Sequence, residues 1–332
     1  MASLDTVDIV RQQWAKAIPE LDTRALAITH RITALATLLN KDAEALFAQF
    51  GVTGPTFDVL AALYAAGPEH RLSPTQLTRG RLVSSGGMTA RLDLAESSGL
   101  VSRSRAEHDR RGVTVTLLDA GVRVVREGVS ALIAKENPLK ATLGAEDRES
   151  AVRLLTRLLQ PDSEGPTNTK AAPTESLIAL WVSAFSDQDP WLVHLLGVIP
   201  LLSARVERES RKAVVSLGLT PNAFALLCAL RRAGAPFRLS PTDLYQDVVL
   251  SPAGVTGQLE KLARSGLIER SPDPNDGRMN RATLTKSGLK VVNQTIGDFV
   301  MRHEWLLRPL SEDERELLAR HLRQILSSLE SR

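Results

Sequence analysis

The sequence predicts a mainly α-helical protein with small β-hairpins, built as two copies of one module. Three observations carry that reading. First, residue n matches residue n+167 without a gap along nearly the whole 332-residue chain. Trp14 meets Trp181, Phe57 meets Phe224, and Arg71-Leu72-Ser73-Pro74-Thr75 meets Arg238-Leu239-Ser240-Pro241-Thr242. Comparing 51–100 with 218–267 gives 21 identities in 50 positions, so the chain is a duplication. Second, the apolar period changes within each copy. Met88, Leu92 and Ala95 recur at helical spacing, whereas Val113, Val115 and Leu117 alternate. Third, Ala, Leu, Val and Arg dominate while aromatics are only 4%, a mix that favours helices over an all-β architecture.

The duplication sets the domain plan. Copy one spans 1–160 and copy two 174–332, joined by 161–173, a stretch rich in Pro, Ser, Thr and Gly without apolar periodicity. The balance of 43% hydrophobic and 24% charged residues is that of a soluble globular protein. A net charge of +3 does not by itself announce nucleic-acid binding; the placement of the arginines matters more. Cys228 is the only cysteine and sits in an apolar run, as a small buried hydrophobe would. No disulfide within the chain follows, which fits a reducing cytosol. The apolar run from Leu195 to Leu202 is interrupted by Gly197 and Pro200, and the acidic N-terminus lacks a signal-peptide core. The expected location is therefore cytoplasmic and nucleoid-associated, without membrane contact.

Each copy reads as the same series of elements. A helix carrying Val7, Val10 and Trp14 ends near Pro19. A second starts around Asp22 with Ile28, Ile32, Leu35 and Leu39 at helical spacing, echoed by Leu195, Ile199, Leu202 and Val206. Phe57 to Leu63 is a buried helix stopped by Gly67-Pro68. Ser73 then stands at an N-cap with Pro74 at the first helical position. After a short turn, Ser84 to Thr89 opens a helix whose inward residues are Met88, Leu92 and Ala95, and Gly99 stops it. Two short helices joined this way form a helix-turn-helix. The following hairpin has His108-Asp109-Arg110-Arg111 at its tip, and long helices from about Ala120 and from Glu146 to Leu159 close the unit. This order is that of a winged helix with helical arms at both ends.

These residues resemble the MarR family. The resemblance rests on Met88-Thr89-Ala90-Arg91-Leu92, Gly99-Leu100-Val101-Ser102-Arg103, Asp109-Arg110-Arg111 and Leu117-Leu118-Asp119-Ala120-Gly121. In copy two it rests on Val255-Thr256-Gly257-Gln258-Leu259, Gly266-Leu267-Ile268-Glu269-Arg270 and Asp276-Gly277-Arg278, where Gly277 replaces the usual middle arginine. Members of this family are usually homodimers whose winged helices each read one operator half-site. The resemblance therefore implies that this monomer acts as an intramolecular pseudo-dimer, with further dimerisation left open. Its partner is double-stranded operator DNA, and its function that of a ligand-responsive repressor.

Bases are read at the groove, while phosphate contacts set position and much of the affinity. In copy one the reading residues expected are Ser84, Ser85 and Thr89, with Arg105, Arg110 and Arg111 on the wing and Asp109 orienting an arginine. In copy two they are Ser251, Thr256, Asp276, Arg278 and Arg281. A lone arginine is more often a solvated charge, but these cluster on a hairpin beside a helix-turn-helix.

Copy one also resembles the urate-responsive MarR subgroup, through Trp14 on an N-terminal helix, Asp58, Arg91 and Arg103. The resemblance implies a site for a small anionic aromatic or purine effector, with no other cofactor and no metal. Indole can stack on a flat heterocycle that a guanidinium pairs with. A core tryptophan and a structural Asp58–Arg91 pair explain the same residues. Copy two keeps Trp181 and Arg270 but has Ala225 and Gln258, which confines the expected site to copy one.

No phosphate loop, nucleophile elbow or metal-ligand pair is present in the sequence, and His30, His70, His108, His194, His303 and His321 are scattered, so no enzyme is expected. The competing reading is a winged-helix interaction or ligand-binding protein that has lost operator binding.

Overall fold

A computed structural model describes residues 4–79, 87–106, 109–160, 174–240, 242–244, 252–272 and 280–332. The expected linker at 161–173 lies outside them. Copy one contains α1 (Thr6–Ala17), α2 (Arg24–Phe47), α3 (Gly54–Ala65), β1 (Arg71–Leu72), α4 (Pro74–Arg79), α5 (Met88–Ser97), β2 (Val101–Ala106), β3 (Asp109–Leu117), α6 (Asp119–Glu136) and α7 (Ala145–Arg157). Copy two contains α8 (Thr174–Ala184), α9 (Pro190–Val215), α10 (Pro221–Arg232), β4 (Arg238–Leu239), α11 (Pro252–Arg264), β5 (Ile268–Pro272), β6 (Asn280–Leu284), α12 (Lys286–Leu307) and α13 (Glu312–Glu330).

Local chemistry explains the boundaries. Thr53 and Thr220 cap α3 and α10 through their side-chain oxygens, each followed by proline in the first turn. Ser73 caps α4 by accepting from the Gln76 N–H at 3.2 Å, while the Ser73 N–H donates back to the Gln76 side chain at 2.8 Å. Gly99 and Gly266 end α5 and α11 at φ of 68° and 70°, a conformation that glycine adopts without strain. α9 runs on through Gly197 and Pro200.

Each hairpin gains a third strand that alternation alone did not reveal, giving the sheet orders β1-β3-β2 and β4-β6-β5. Arg71 and Leu72 pair with Thr116 and Val115, and Arg238 and Leu239 with Thr283 and Ala282. On the expected inner face of β3, Val115 and Leu117 are buried, but Val113, nearer the tip, is exposed.

The chain divides into two compact units that do not follow the 1–160 and 174–332 division of the sequence. Unit 1 is Met1–Arg31 with Ala204–Pro309, and unit 2 is Ile32–Ser203 with Leu310–Arg332. Each thus pairs the winged helix of one copy with the N-terminal helix of the other. In unit 1, Trp14, Ile18 and Leu26 enter one core with Phe224, Leu227, Val255, Leu259, Ile268 and Ile296. Arg31 anchors α1 from below. Its guanidinium donates to Asp5 at 2.7 and 3.0 Å, to Asp8 at 2.6 Å and to the Ala27 carbonyl at 3.0 Å. His303 of α12 lies between Thr29 at 2.7 Å and Ser210 at 3.0 Å, and stacks on Phe299 with ring centroids 4.2 Å apart. Burial pushes the His303 pKa down to about 3 and that of His30 to about 4.

In unit 2, α8 packs on α3, with Phe185 against Tyr64 at 5.1 Å between ring centroids. Gly197 lets the Trp181 ring approach α9, because a Cβ there would lie 2.8 Å from Trp181 Cδ1. α7 packs against α13, where Ser311 and Glu314 form a capping box and Glu314 also pairs with Arg157. The duplication reaches individual ion pairs. Lys135–Asp42 at 3.2 Å in unit 2 and Arg302–Glu209 at 3.4 Å in unit 1 occupy positions 167 apart.

Candidate nucleic-acid interface and effector site

α5 presents one face to the core and the other to solvent, as its sequence requires. Met88, Leu92 and Ala95 are buried, while Thr89, Ala90, Asp93 and Leu94 are exposed. α11 repeats the arrangement, with Val255, Leu259 and Leu262 buried and Thr256 and Glu260 exposed. Beside α5 the β2–β3 ladder runs in register from Val101↔Leu117 to Arg105↔Val113, with an irregularity before Ala106. Arg105 is exposed near its outer end, and Arg281 is half-buried opposite Ser271 in the second hairpin. The backbones of Asp109, Arg110 and Arg111 belong to β3, but their side chains lie outside what is described. Ser84, Ser85, Ser251, Asp276 and Arg278 also lie outside the described residues.

Arg103 holds the wing to α5. It meets Asp93 at 2.6 Å and Glu96 at 3.7 Å, and its backbone N–H donates to Glu96 at 2.9 Å. Its guanidinium also reaches the Thr89 carbonyl at 3.4 Å. The pairing of Asp93 and Glu96 with Arg103 was not expected from sequence, although carboxylates three apart on a helix share a face.

Asp58 and Arg91 do come together. Asp58 stands on α3 with its side chain reaching solvent. Desolvation pushes its pKa up to about 6, opposed by Arg91 and reinforced by Glu44. Arg103 is occupied by Asp93 and Glu96 instead.

The division of the chain assigns the four expected effector-site residues to different units. Trp14 belongs to unit 1 and the other three to unit 2, because α1 buries its apolar face on α10. Trp181, the repeat counterpart of Trp14, shares a unit with Asp58. It is half-buried, donates its indole N–H to the Val193 carbonyl at 2.9 Å, and lies 4.6 Å from Phe185 between ring centroids. No spacing within copy one could have pointed to it. Cys228 is buried, with its thiol pKa pushed up to about 12, as expected of a small hydrophobe. Among the described residues no His, Cys, Asp and Glu cluster could hold a metal ion, and no single helix is long and apolar enough to cross a membrane.

A helix-turn-helix followed by a three-stranded antiparallel wing defines the winged-helix class, and here it occurs twice. The MarR family model matches residues 50–112 and again 217–279. The HTH-type transcriptional regulator PecS of Dickeya dadantii is 27% identical over 155 residues, covering 47% of this chain and 93% of that protein. The HTH-type transcriptional repressor NicR of Pseudomonas putida is 31% identical over 113 residues, covering 34% of this chain and 70% of that protein. The crystal structure of wild-type MarR from E. coli in its apo form is 26% identical, with a TM-score of 0.32, covering 35% of this chain and 84% of that one. The chain belongs to the MarR family of DNA-binding transcriptional regulators, as a tandem repeat of the family's winged-helix module.

Proposed function

We propose that the two copies, 1–160 and 174–332, act as the halves of an intramolecular pseudo-dimer and read the two half-sites of one operator. The carrying observation is that a single chain holds two winged helices, each with an exposed recognition-helix face beside a wing. Thr89 and Thr256 stand on those faces, and Ser84, Ser85 and Ser251, outside the described residues, complete the proposed reading set. Arg105, Arg110, Arg111, Arg278 and Arg281 supply the positive charge for phosphates or a narrow minor groove, with Asp109 and Asp276 orienting them. The faces differ at Ala90 against Gly257 and Asp93 against Glu260, so the operator departs from a perfect palindrome.

A small planar effector bound at Asp58 and Arg91 then modulates DNA binding. Arg91 lies in the recognition helix, so a ligand engaging it alters the helix that reads the groove. A carboxyl group whose pKa is raised by desolvation beside Arg91 supports this reading.

Fluorescence anisotropy with the protein's own upstream DNA, over a range of salt concentrations, tests the operator reading. Changing Arg110 and Arg111 together to alanine should lower the slope of log K against log salt by about 2, near 0.9 per lost phosphate contact. Absence of a wild-type complex, or an unchanged slope in the double variant, would refute it.

A further inference from the structure

The two recognition helices carry different charge at matching positions. On α5 the outward positions are Thr89, Ala90, Asp93, Leu94 and Ser97, all exposed, Leu94 at 46%. One repeat later, α11 carries Thr256, Gly257, Glu260, Lys261 and Arg264 there. A leucine and a serine of copy one are thus a lysine and an arginine in copy two, both exposed in the last turn of the helix. Arg264 Nε donates to the Glu260 carbonyl at 3.4 Å, one turn back along the helix.

The wing beside each helix changes in the same sense. Arg103 stands opposite Val115 in its ladder and Arg270 opposite Ala282, so the two arginines hold the same station. In copy one that guanidinium is turned back onto its own helix, with Asp93 at 2.6 Å and Glu96 at 3.7 Å, and the side chain is only 26% exposed. In copy two Ala263 replaces Glu96 and Glu260 replaces Asp93, and Arg270 is exposed. Glu269, next to Arg270, belongs to the opposite face of the strand. At this junction of helix and wing, copy one sets two carboxylates against one guanidinium. Copy two sets one carboxylate against three cations. Arg91 of copy one answers Asp58, and Arg105 lies towards the wing tip, so neither changes the contrast.

A guanidinium held by two carboxylates offers little net charge to a polyanion. Cations without that complement neutralise phosphates and release the counterions condensed on them. Arginine adds paired N–H donors that match phosphate oxygens.

We infer that Lys261, Arg264 and Arg270 form a phosphate-gripping site for duplex DNA, which copy one replaces with Leu94, Ser97 and the Asp93–Arg103–Glu96 clasp. The halves are then unequal. Copy two adds a sequence-independent hold to whatever its helix reads, and copy one meets the duplex with a helix end whose charge is closed internally. The inference rests on the operator reading above and adds to it three contact residues and an unequal share of the salt dependence.

Fluorescence anisotropy of the full chain tests this, with the upstream duplex and an unrelated duplex of equal length over a range of salt concentrations. Lys261→Leu with Arg264→Ser gives α11 the residues of α5. It should lower the slope of log K against log salt by about 2 on both duplexes, near 0.9 per lost phosphate contact. Arg270→Gln should lower it by about 1, and so should Ala263→Glu, which restores a second carboxylate beside Arg270 without removing a cation. The reverse transplant, Leu94→Lys with Ser97→Arg, should raise the slope by about 2. The replaced side chains are exposed at Lys261, Arg264 and Arg270, so the melting temperature should hold. An unchanged slope in the helix variant or in Arg270→Gln, with wild-type binding intact, overturns the inference and leaves the operator reading standing. A fall confined to the upstream duplex also overturns it, since that marks base reading rather than phosphate contact. No wild-type complex with either duplex overturns both. Should the helix variant melt early, Arg270→Gln and Ala263→Glu decide.

Discussion

Replacing Arg31 with methionine keeps the length of the side chain and removes its charge, which isolates what the guanidinium does for α1. The Arg31 side chain is 1% exposed, and its partners Asp5 and Asp8 are 0% and 5% exposed, so the substitution strands Asp5 out of water and leaves Asp8 with Arg11, 4.0 Å away. Breaking a buried ion pair by removing one partner costs about 3–5 kcal/mol. A ceiling can be set independently. A stranded carboxylate escapes by taking up a proton, which for an ordinary pKa of about 3.9 costs about 4 kcal/mol at pH 7. The two figures agree, and the second adds a signature. In the variant the carboxyl pKa values rise on folding, so the loss is full at neutral pH and fades as pH falls towards 4. Urea unfolding at pH 7.5 and at pH 4.5, followed by far-ultraviolet circular dichroism, measures both. A companion variant, Asp5→Asn with Asp8→Asn and Arg31→Met, removes the charges together while an amide still caps α1, and should recover most of the loss. Copy two already carries an aliphatic residue here, the fully buried Val198. A cost below about 1 kcal/mol at pH 7.5, or a triple variant no more stable than the single one, refutes the reasoning.

Other perturbations follow from the same geometry. In Asp58→Asn the group whose pKa is raised to about 6 no longer ionises. The wild type loses stability as pH climbs from about 4 through 6, so the variant should melt higher at pH 7.5 and converge with wild type near pH 4; a lower melting point at pH 7.5 counts against the desolvated carboxylate. Gly288→Ala drives a Cβ into the Leu267 carbonyl, as Gly121→Ala does at Leu100, and should cost about 1–3 kcal/mol in urea. Gly257→Ala in α11, with open space around it, should instead gain about 0.5–1 kcal/mol, and equal effects at the two sites would undo the packing argument. Arg103→Lys cannot span Asp93, Glu96 and the Thr89 carbonyl at once. The groups are exposed enough that stability should move by less than about 1 kcal/mol, while operator affinity measured by anisotropy falls several-fold as the wing loosens.

The winged helices were legible because each element has its own local cause. Met88, Leu92 and Ala95 mark the buried stripe of α5, Ser73-Pro74 the start of α4, and Gly99 the end of α5. The short strand at Arg71–Leu72 was not legible, since two residues are too few for a period to register. Nor was the exchange of terminal helices. A repeat of 167 records common ancestry, but α1 and α8 have similar apolar faces, and nothing in either sequence says which copy's core receives it. The same limit applies to Trp14, which enters the core of unit 1 with the Arg232 guanidinium 5.6 Å from its ring centroid. Arg31, with no counterpart charge in copy two, gave no periodic signal and emerged only through its contacts with Asp5 and Asp8.

The exchange also orders events in time. A ribosome releases the chain from its N-terminus, yet α1 belongs with residues 204–309, which are made much later. At about 5–20 residues per second, α1 waits on the order of tens of seconds for its core, exposing Val7, Trp14 and Ile18 meanwhile. Unit 2 closes later still, when α13 is released. A chain that stops between α7 and α8 therefore leaves both parts of copy one incomplete. It yields a winged helix lacking α8 and an orphan α1 lacking α10, both presenting apolar surface to quality control.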